Sequence, residues 1–368
     1  MGRTCAEVAA VLEELAPPEL AEAGDNIGLQ VGRPDRTVER LLIGLEVNPD
    51  LLEEASQRGA QMLVVHHPLI YEPLAALRLD RPGPGLLAEA VRRDLAVYVL
   101  HTNWDLAPGG VSHCLAQALG LEEIVPLQPA PAGVYYKLVT FVPEGYEDRV
   151  RQALAEAGAG RIGAYSHCSF EAEGTGTFLP LEGARPFLGR PGNLERARER
   201  RLEMLLPRRL LGRALEALLS AHPYEEVAYD LYPLDNSPSG AGLGALGRLP
   251  SPESLAVLAT RVKDTLGLTG VRLAGDPERE VRRVAVCGGS GGSLVQAARD
   301  RGAEVLITGD VRYHQVLSAL ALDLAVIDAG HAATERVSLP CLAERLQQAL
   351  PDVDVAVEPG AVDPWRYF

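Results

Sequence analysis

Three short stretches of this chain combine imidazole and carboxylate groups in a way that suits divalent metal. His66-His67-Pro68 directly follows the apolar run at 62–65. Adjacent residues at a strand end can point to opposite sides of the local chain. Each imidazole could then serve a different ion, and histidine is the commonest metal ligand. HTNWD, from His101 to Asp105, follows a second apolar run, and GHAATE, from Gly330 to Glu335, follows a third. In both, imidazole and carboxylate are four residues apart, which puts them on one face of a helical turn. Plainer readings exist for each stretch. Asp105 would cap the turn beside it, with His101 orienting a ligand from behind. Glu335 in a first helical turn would complement the helix dipole. An HHP on the surface needs no role at all. These readings do not explain why all three pairings fall at strand ends. Together they give His66, His67, Asp105, His331 and Glu335 as ligands of two divalent ions. Five ligands leave positions on two ions for water or substrate, the open form taken by catalytic sites. Nitrogen and oxygen donors without thiolate suit Zn, Fe, Mn or Ni.

Other groups are less decided. Asp310 and His314, in GDVRYH, repeat the spacing of four. They read as ligand, proton-transfer pair or outer support, and equally as an N-cap followed by a helix-face imidazole. His101 and His314 are the candidates for acid–base work beside the metals. GGSGG at 288–292 reads as a tight loop after a strand. It lacks the Walker lysine and the G-x-G-x-x-G spacing of a phosphate cradle. DNIGLQVG at 25–32 reads as a turn and strand that could shape a cleft wall. AHPYEEVAYDLYPL at 221–234 reads as a helix-to-strand corner. His113, His167 and His222 have no matching cluster.

Strands must position these groups. Residues 40–47, 61–65 and 95–100 read as strands, with a helix at 49–59 that ends in glycine. Residues 281–287, 304–308 and 324–327 read as strands, with a helix at 293–301. Apolar runs without alternation suit strands buried on both faces of a helix-covered α/β sheet. The two outer segments also resemble each other. DLAVYVLHTNWD lines up with DLAVIDAGHAATE once one extra residue is allowed, placing His101 on His331 and Asp105 on Glu335. RGAQMLVVHHPLIYE lines up with RGAEVLITGDVRYHQ without a gap, so His66 faces Gly309 and His67 faces Asp310. The fold expected is α/β, with two related halves, 1–127 and 243–368, sharing one cleft at the carboxyl ends of their strands. Between them, 133–235 reads as an α+β insert of ferredoxin-like type, with strands at 135–142, 165–172, 175–179 and 226–231 and helices at 147–157 and 207–221. LQPAPAG at 127–133 and DNSPSGAGLGALG at 235–247 read as linkers. The basic stretch 196–209 reads as the solvated face of a helix.

Bulk properties exclude some functions. The 368 residues carry a formal net charge of −15, which repels phosphate backbones and disfavours nucleic acid as a partner. Aromatic residues are only 5%, little material for base-stacking platforms. Five scattered cysteines, with no C-x-x-C pair, argue against a disulfide framework and a thiolate zinc site. The N-terminus lacks the basic start and apolar run of a signal peptide, and no apolar segment reaches membrane-spanning length. The cytoplasm is the expected location.

DNIGLQVG, VVHHPLIY, HTNWD, GDVRYHQ and DAGHAATE, in that order, resemble the Nif-three-like dinuclear-metal family, whose members are often labelled GTP cyclohydrolase 1 type 2 homologs. The middle segment is similar to the insert of longer members, of PII-like fold. The resemblance implies the same five ligands, with Glu335 bridging the two ions, and a toroidal homohexamer whose sites face an internal cavity. It implies a metal-dependent hydrolase acting on a nucleotide-type small molecule; the alternative is a non-catalytic metal-binding or ligand-sensing ring. Two departures stand out. Glu46 occupies a position where the family has Asp, and GGVSH at 109–113 replaces the commoner GGVND.

Overall fold

The computed structural model describes residues 2–130, 134–236, 239–360 and 365. It divides into two compact units, Met1–Ala130 with Pro238–Phe368, and Pro131–Ser237.

The first unit is mixed α/β with two principal sheets. One has the strand order Asp354–Val357, Arg40–Gly44, Met62–Val65, Ala96–Val99, Gly28–Val31; the first four are parallel and the last antiparallel. The other has the order Arg272–Ala274, Ala325–Asp328, Val305–Gly309, Glu280–Ser290, Gly242–Ser254, Glu122–Pro129. Its three parallel members are Ala325–Asp328, Val305–Gly309 and Glu280–Ser290. Every residue of Met62–Val65, Ala96–Val99, Val305–Gly309 and Ala325–Asp328 is buried. A continuous apolar run is what a parallel strand covered on both faces requires. Local signals set the helix bounds. Pro49–Arg58 starts at Asn48, whose side chain accepts the Leu51 N–H, and stops at Gly59 with φ +63°. It buries Leu51, Leu52 and Ala55, each leucine contributing about 1.5–3 kcal/mol.

The two sheets exchange elements across the sequence. The Val111–Ala118 helix places Leu115 and Ala116 in the core of the six-stranded sheet. In the other direction, Asp354–Val357 pairs with Arg40–Gly44. Trp104, 1% exposed, donates its indole N–H to Ser338 Oγ at 3.3 Å, and the Arg345 guanidinium lies 5.3 Å from its ring centre.

Both expected linkers are shorter in the structure. Residues 127–129 lie in the Glu122–Pro129 strand, and 242–247 lie in Gly242–Ser254; 131–133 and 237–238 fall outside the described residues. Prolines 126 and 129 are tolerated because their strand is a sheet edge. Gly247 is a packing requirement, since a Cβ there would sit 2.9 Å from the Leu121 Cβ. The 288–290 part of GGSGG is likewise strand.

The second unit runs strand Tyr135–Pro143, helix Glu147–Glu156, strands Ser169–Phe178 and Glu195–Pro207, helix Leu211–Ala221, strand Tyr229–Leu234. Its antiparallel sheet has the order Tyr229–Leu234, Tyr135–Pro143, Glu195–Pro207, Ser169–Phe178. The basic stretch is therefore a strand where a helix was expected. Leu202, Met204 and Leu206 are buried in alternation, a period of two that the abundant arginines obscure. The two strands expected at 165–172 and 175–179 are one, Ser169–Phe178, and the last begins at Tyr229.

Candidate metal centre

In the first unit, strand ends converge on Glu335. His66 and His67 continue from Met62–Val65, and His101 lies just after Ala96–Val99. His331 opens the short helix His331–Arg336 just after Ala325–Asp328. Close backbone approach makes the convergence possible. A Cβ on Gly309 would lie 2.6 Å from the His331 backbone nitrogen. Gly289, with φ +63°, lies against the Glu335 carboxylate and donates its N–H to Thr334 Oγ1 at 3.0 Å.

His66 is 3% exposed, and its Nδ1 lies 2.8 Å from the Leu100 carbonyl. A carbonyl only accepts, so Nδ1 carries the proton and Nε2 presents a lone pair. That Nε2 is buried without a hydrogen-bond partner, 3.6 Å from Glu335 Oε1 and 3.8 Å from Asp105 Oδ1. Leaving such an atom unsatisfied costs about 1–3 kcal/mol. A cation between the imidazole and the two carboxylates would satisfy all three. His67 Nε2 lies 3.0 Å from Glu335 Oε2, with Nδ1 3.5 Å from Glu46 Oε2. His331 Nε2 lies 3.0 Å from Glu335 Oε1, and its Nδ1 donates to Asp310 Oδ2 at 2.9 Å. Glu335, 5% exposed, thus faces three imidazoles. Among the described residues, His66, His67 and Glu335 offer ligand atoms within 4.8 Å of one another. The orphaned nitrogen and the nitrogen–oxygen donor set fit a divalent metal.

The charges in this cluster are strongly coupled. Burial pushes the Glu335 pKa up, but the imidazoles outweigh it and hold the carboxyl far below its ordinary range. Burial raises Asp105 to about 6 against the opposing pull of His66. Burial works against protonation of His67, yet Glu335 and Glu46 together raise it to about 9. The Glu335 hydrogen bond raises His331 to about 8 despite burial. In the metal-free protein, protons therefore neutralise the carboxylate that a metal would take. Both imidazoles sit above their ordinary 6.5, so their stabilising contribution is complete below that pH and lost as pH climbs through about 8 and about 9. Chelator-treated protein should lose thermal stability across this window, and metal uptake within it should release protons. Calorimetry in two buffers of different ionisation enthalpy checks both. A melting temperature flat from about pH 6 to about pH 9.5, with no proton release, would contradict this account.

Supporting residues surround the cluster. The His101 ring lies 5.3 Å from that of His66 and 6.0 Å from that of His67. Its Nδ1 donates to Asp25 Oδ1 at 2.9 Å, while Asp25 Oδ2 accepts the Thr102 N–H at 3.1 Å and the Thr102 hydroxyl. Burial pushes the Asp25 pKa up, but Thr102 and His101 prevail and hold it below the usual carboxylate value. Sequence reasoning took 25–32 for a cleft wall and missed Asp25; a carboxylate opening a turn was the available signal. The same segment pins the chain after HHP, for Gln30 exchanges hydrogen bonds with the Ile70 backbone at 2.8 and 3.0 Å. Asp310, at φ +51°, orients His331. His314 lies exposed against the Tyr313 ring, with centroids 5.4 Å apart. Its spacing from Asp310 carries no helical meaning, because the helix begins only at Tyr313, after Asp310.

Comparisons with known proteins agree with one another. A family model described as Duf34/NIF3 (NGG1p interacting factor 3) matches residues 3–364. A Bacillus subtilis protein named GTP cyclohydrolase 1 type 2 homolog is 41% identical over 327 residues, 89% of this chain and 88% of its own. A protein of the same name from Halalkalibacterium halodurans is 38% identical over 362 residues, 97% of each chain. Among solved structures, a Bacillus cereus protein related to NIF3 superposes with a TM-score of 0.87 at 40% identity, covering 100% of both chains.

Proposed function

The chain belongs to the DUF34/NIF3 family, and from that premise we propose that it is a dinuclear metal-dependent hydrolase acting on a nucleotide-type substrate. Glu335 carries this reading. Its Oε1 faces His331 and His66 while its Oε2 faces His67, which suits a carboxylate shared between two ions. His66, His67, Asp105, His331 and Glu335 would hold the pair. When bound, the ions would supply Lewis-acid activation of a water and of the bond it attacks.

The remaining work falls to the chain's own side chains. His101 is the acid–base candidate beside the cluster; His314 is exposed on its helix. With Nδ1–H held by Asp25, His101 offers Nε2 to take up and return a proton. Asp25→Asn should therefore lower kcat about 100-fold, with metal content unchanged and the pH profile displaced. Metal loss in that variant would make Asp25 a structural support only.

The substrate class is supported by the relatives' name, GTP cyclohydrolase 1 type 2 homolog. We also propose that the core is two related halves, 1–127 and 243–368, that 133–235 is a ferredoxin-like, PII-like insert, and that the chain forms a toroidal homohexamer in the cytoplasm. The β-α-β-β-α-β element order of the middle unit supports the insert assignment. Among the described residues, no helix is long and apolar enough to cross a membrane.

A nucleotide hydrolysis screen on metal-loaded protein tests the function. Turnover of at least one nucleotide is expected, abolished by chelation and restored by metal. Full metal occupancy with no turnover would favour a non-catalytic sensing ring, a reading that the separate cavity of the middle unit also supports.

A further inference from the structure

The middle unit contains a cavity of about 800 Å³ formed wholly by its own residues. That size lies in the range of pockets for small organic ligands. Its floor is the sheet face opposite the two helices. Leu138, Val142 and Leu202 point into the helix-covered core, so Phe141 and Glu199, at odd positions of the same strands, point the other way. Its roof is the segment 179–188, which includes Leu181 and Phe187, 70% and 45% exposed. Half-exposed apolar side chains around a concavity mark a surface suited to a partner.

Tyr224 organises the walls. Its ring lies 5.9 Å from Phe178 and 6.1 Å from Phe187, and its hydroxyl donates to Glu199 Oε1 at 2.9 Å. Gly176 makes room for that carboxylate, since a Cβ there would collide with it. The charge around the cavity is one-sided. Glu173, Glu199, Glu225 and Glu226 line it beside Arg201, whose Nε is engaged by Glu203 at 2.8 Å; Glu225 accepts the Arg185 backbone N–H from the roof at 2.8 Å. Glu173 is offset by Arg200 at 3.1 Å. Glu199, half-buried, has the Tyr224 hydroxyl as its hydrogen-bond partner, and the Phe178 and Phe187 rings pack against the ring that carries it.

We propose that this cavity binds a small organic cation, an amine carried on an apolar body. Aromatic faces attract a cation through their quadrupole, and a carboxylate beside them fixes its position. The same field repels nucleotides and other anions, so this ligand differs in class from the substrate of the metal centre. The segment 221–234, unused by the metal chemistry, supplies Tyr224, Glu225 and Glu226 for this purpose.

Isothermal titration of the full chain with three isosteric probes tests the proposal: 4-phenylbutylamine, 4-phenylbutanol and 4-phenylbutyrate. The amine should bind about tenfold tighter than the alcohol, and the carboxylate more weakly than either. Glu199→Gln should bring amine and alcohol within about twofold while leaving the alcohol unchanged. Phe187→Ala should weaken both. The amine preference should persist in Glu335→Ala, which separates this cavity from the metal centre. Equal binding of amine and carboxylate would overturn the proposal. So would an amine preference that survives Glu199→Gln, or no binding by any probe.

Discussion

Glu335→Ala should strip the protein of its metal and of any turnover that depends on it. Among the described residues, the carboxylate is the one group that meets His66, His67 and His331 together, at 3.6, 3.0 and 3.0 Å. Losing an outer partner of a metal ligand typically costs 10- to 100-fold in affinity, so losing the central ligand should cost at least about 100-fold. Dialysed variant should retain less than about a tenth of the wild-type metal by mass spectrometry. The fold should persist, because the two sheets are held by extensive apolar cores that do not include Glu335. Circular dichroism checks this. The variant should also show a smaller alkaline loss of stability than the metal-free protein, since Glu335 raises both His67 and His331, leaving only Glu46 and Asp310 to do so. A folded Glu335→Ala protein with full metal content would end the ligand assignment.

Gly309→Ala should damage the same centre without touching a ligand. A Cβ at 309 would lie 2.5 Å from the Gly330 carbonyl carbon and 2.6 Å from both the Gly330 oxygen and the His331 nitrogen. All three are backbone atoms, so no side-chain rotation relieves the clash. The loop that carries His331 must move instead, at a cost of about 1–3 kcal/mol. The melting temperature should fall by several degrees and metal affinity by about tenfold or more. Gly212→Ala is the matched control, for a Cβ there meets nothing within 4 Å on the Leu211–Ala221 helix; it should be neutral or stabilising. If Gly309→Ala keeps both metal affinity and melting temperature, the tight approach of the two backbones is not what positions His331.

Much of the candidate site was legible because it is encoded locally. HHP, HTNWD and GHAATE each follow an apolar run, and each run is a fully buried strand or ends in one. The spacing of four in the last pair became a real contact, His331 Nε2 to Glu335 Oε1 at 3.0 Å, because a helix begins at His331. The same spacing misled at Asp310 and His314, where the helix begins later. Spacing acquires geometry only from the element that contains it. The basic stretch 196–209 failed for a related reason. Its charges suggested a helix surface, but the decisive signal was the alternation of Leu202, Met204 and Leu206.

By itself, the sequence determined the family, the order of buried strands and the imidazole and carboxylate groups at their ends. These depend on short-range pattern, since burial selects apolar runs and metal-binding chemistry selects residue types. Only the tertiary structure decided which groups meet and which partner holds each ring. It brought Asp25 to His101 across 76 positions and His67 to Glu335 across 268. It turned GGSGG from a loop into a strand end that supports Glu335. It also joined Phe178, Phe187 and Glu199 around Tyr224 from separate segments. Such contacts depend on sheet order and close backbone approach, which arise from packing distant segments against one another and leave no periodic trace in the chain.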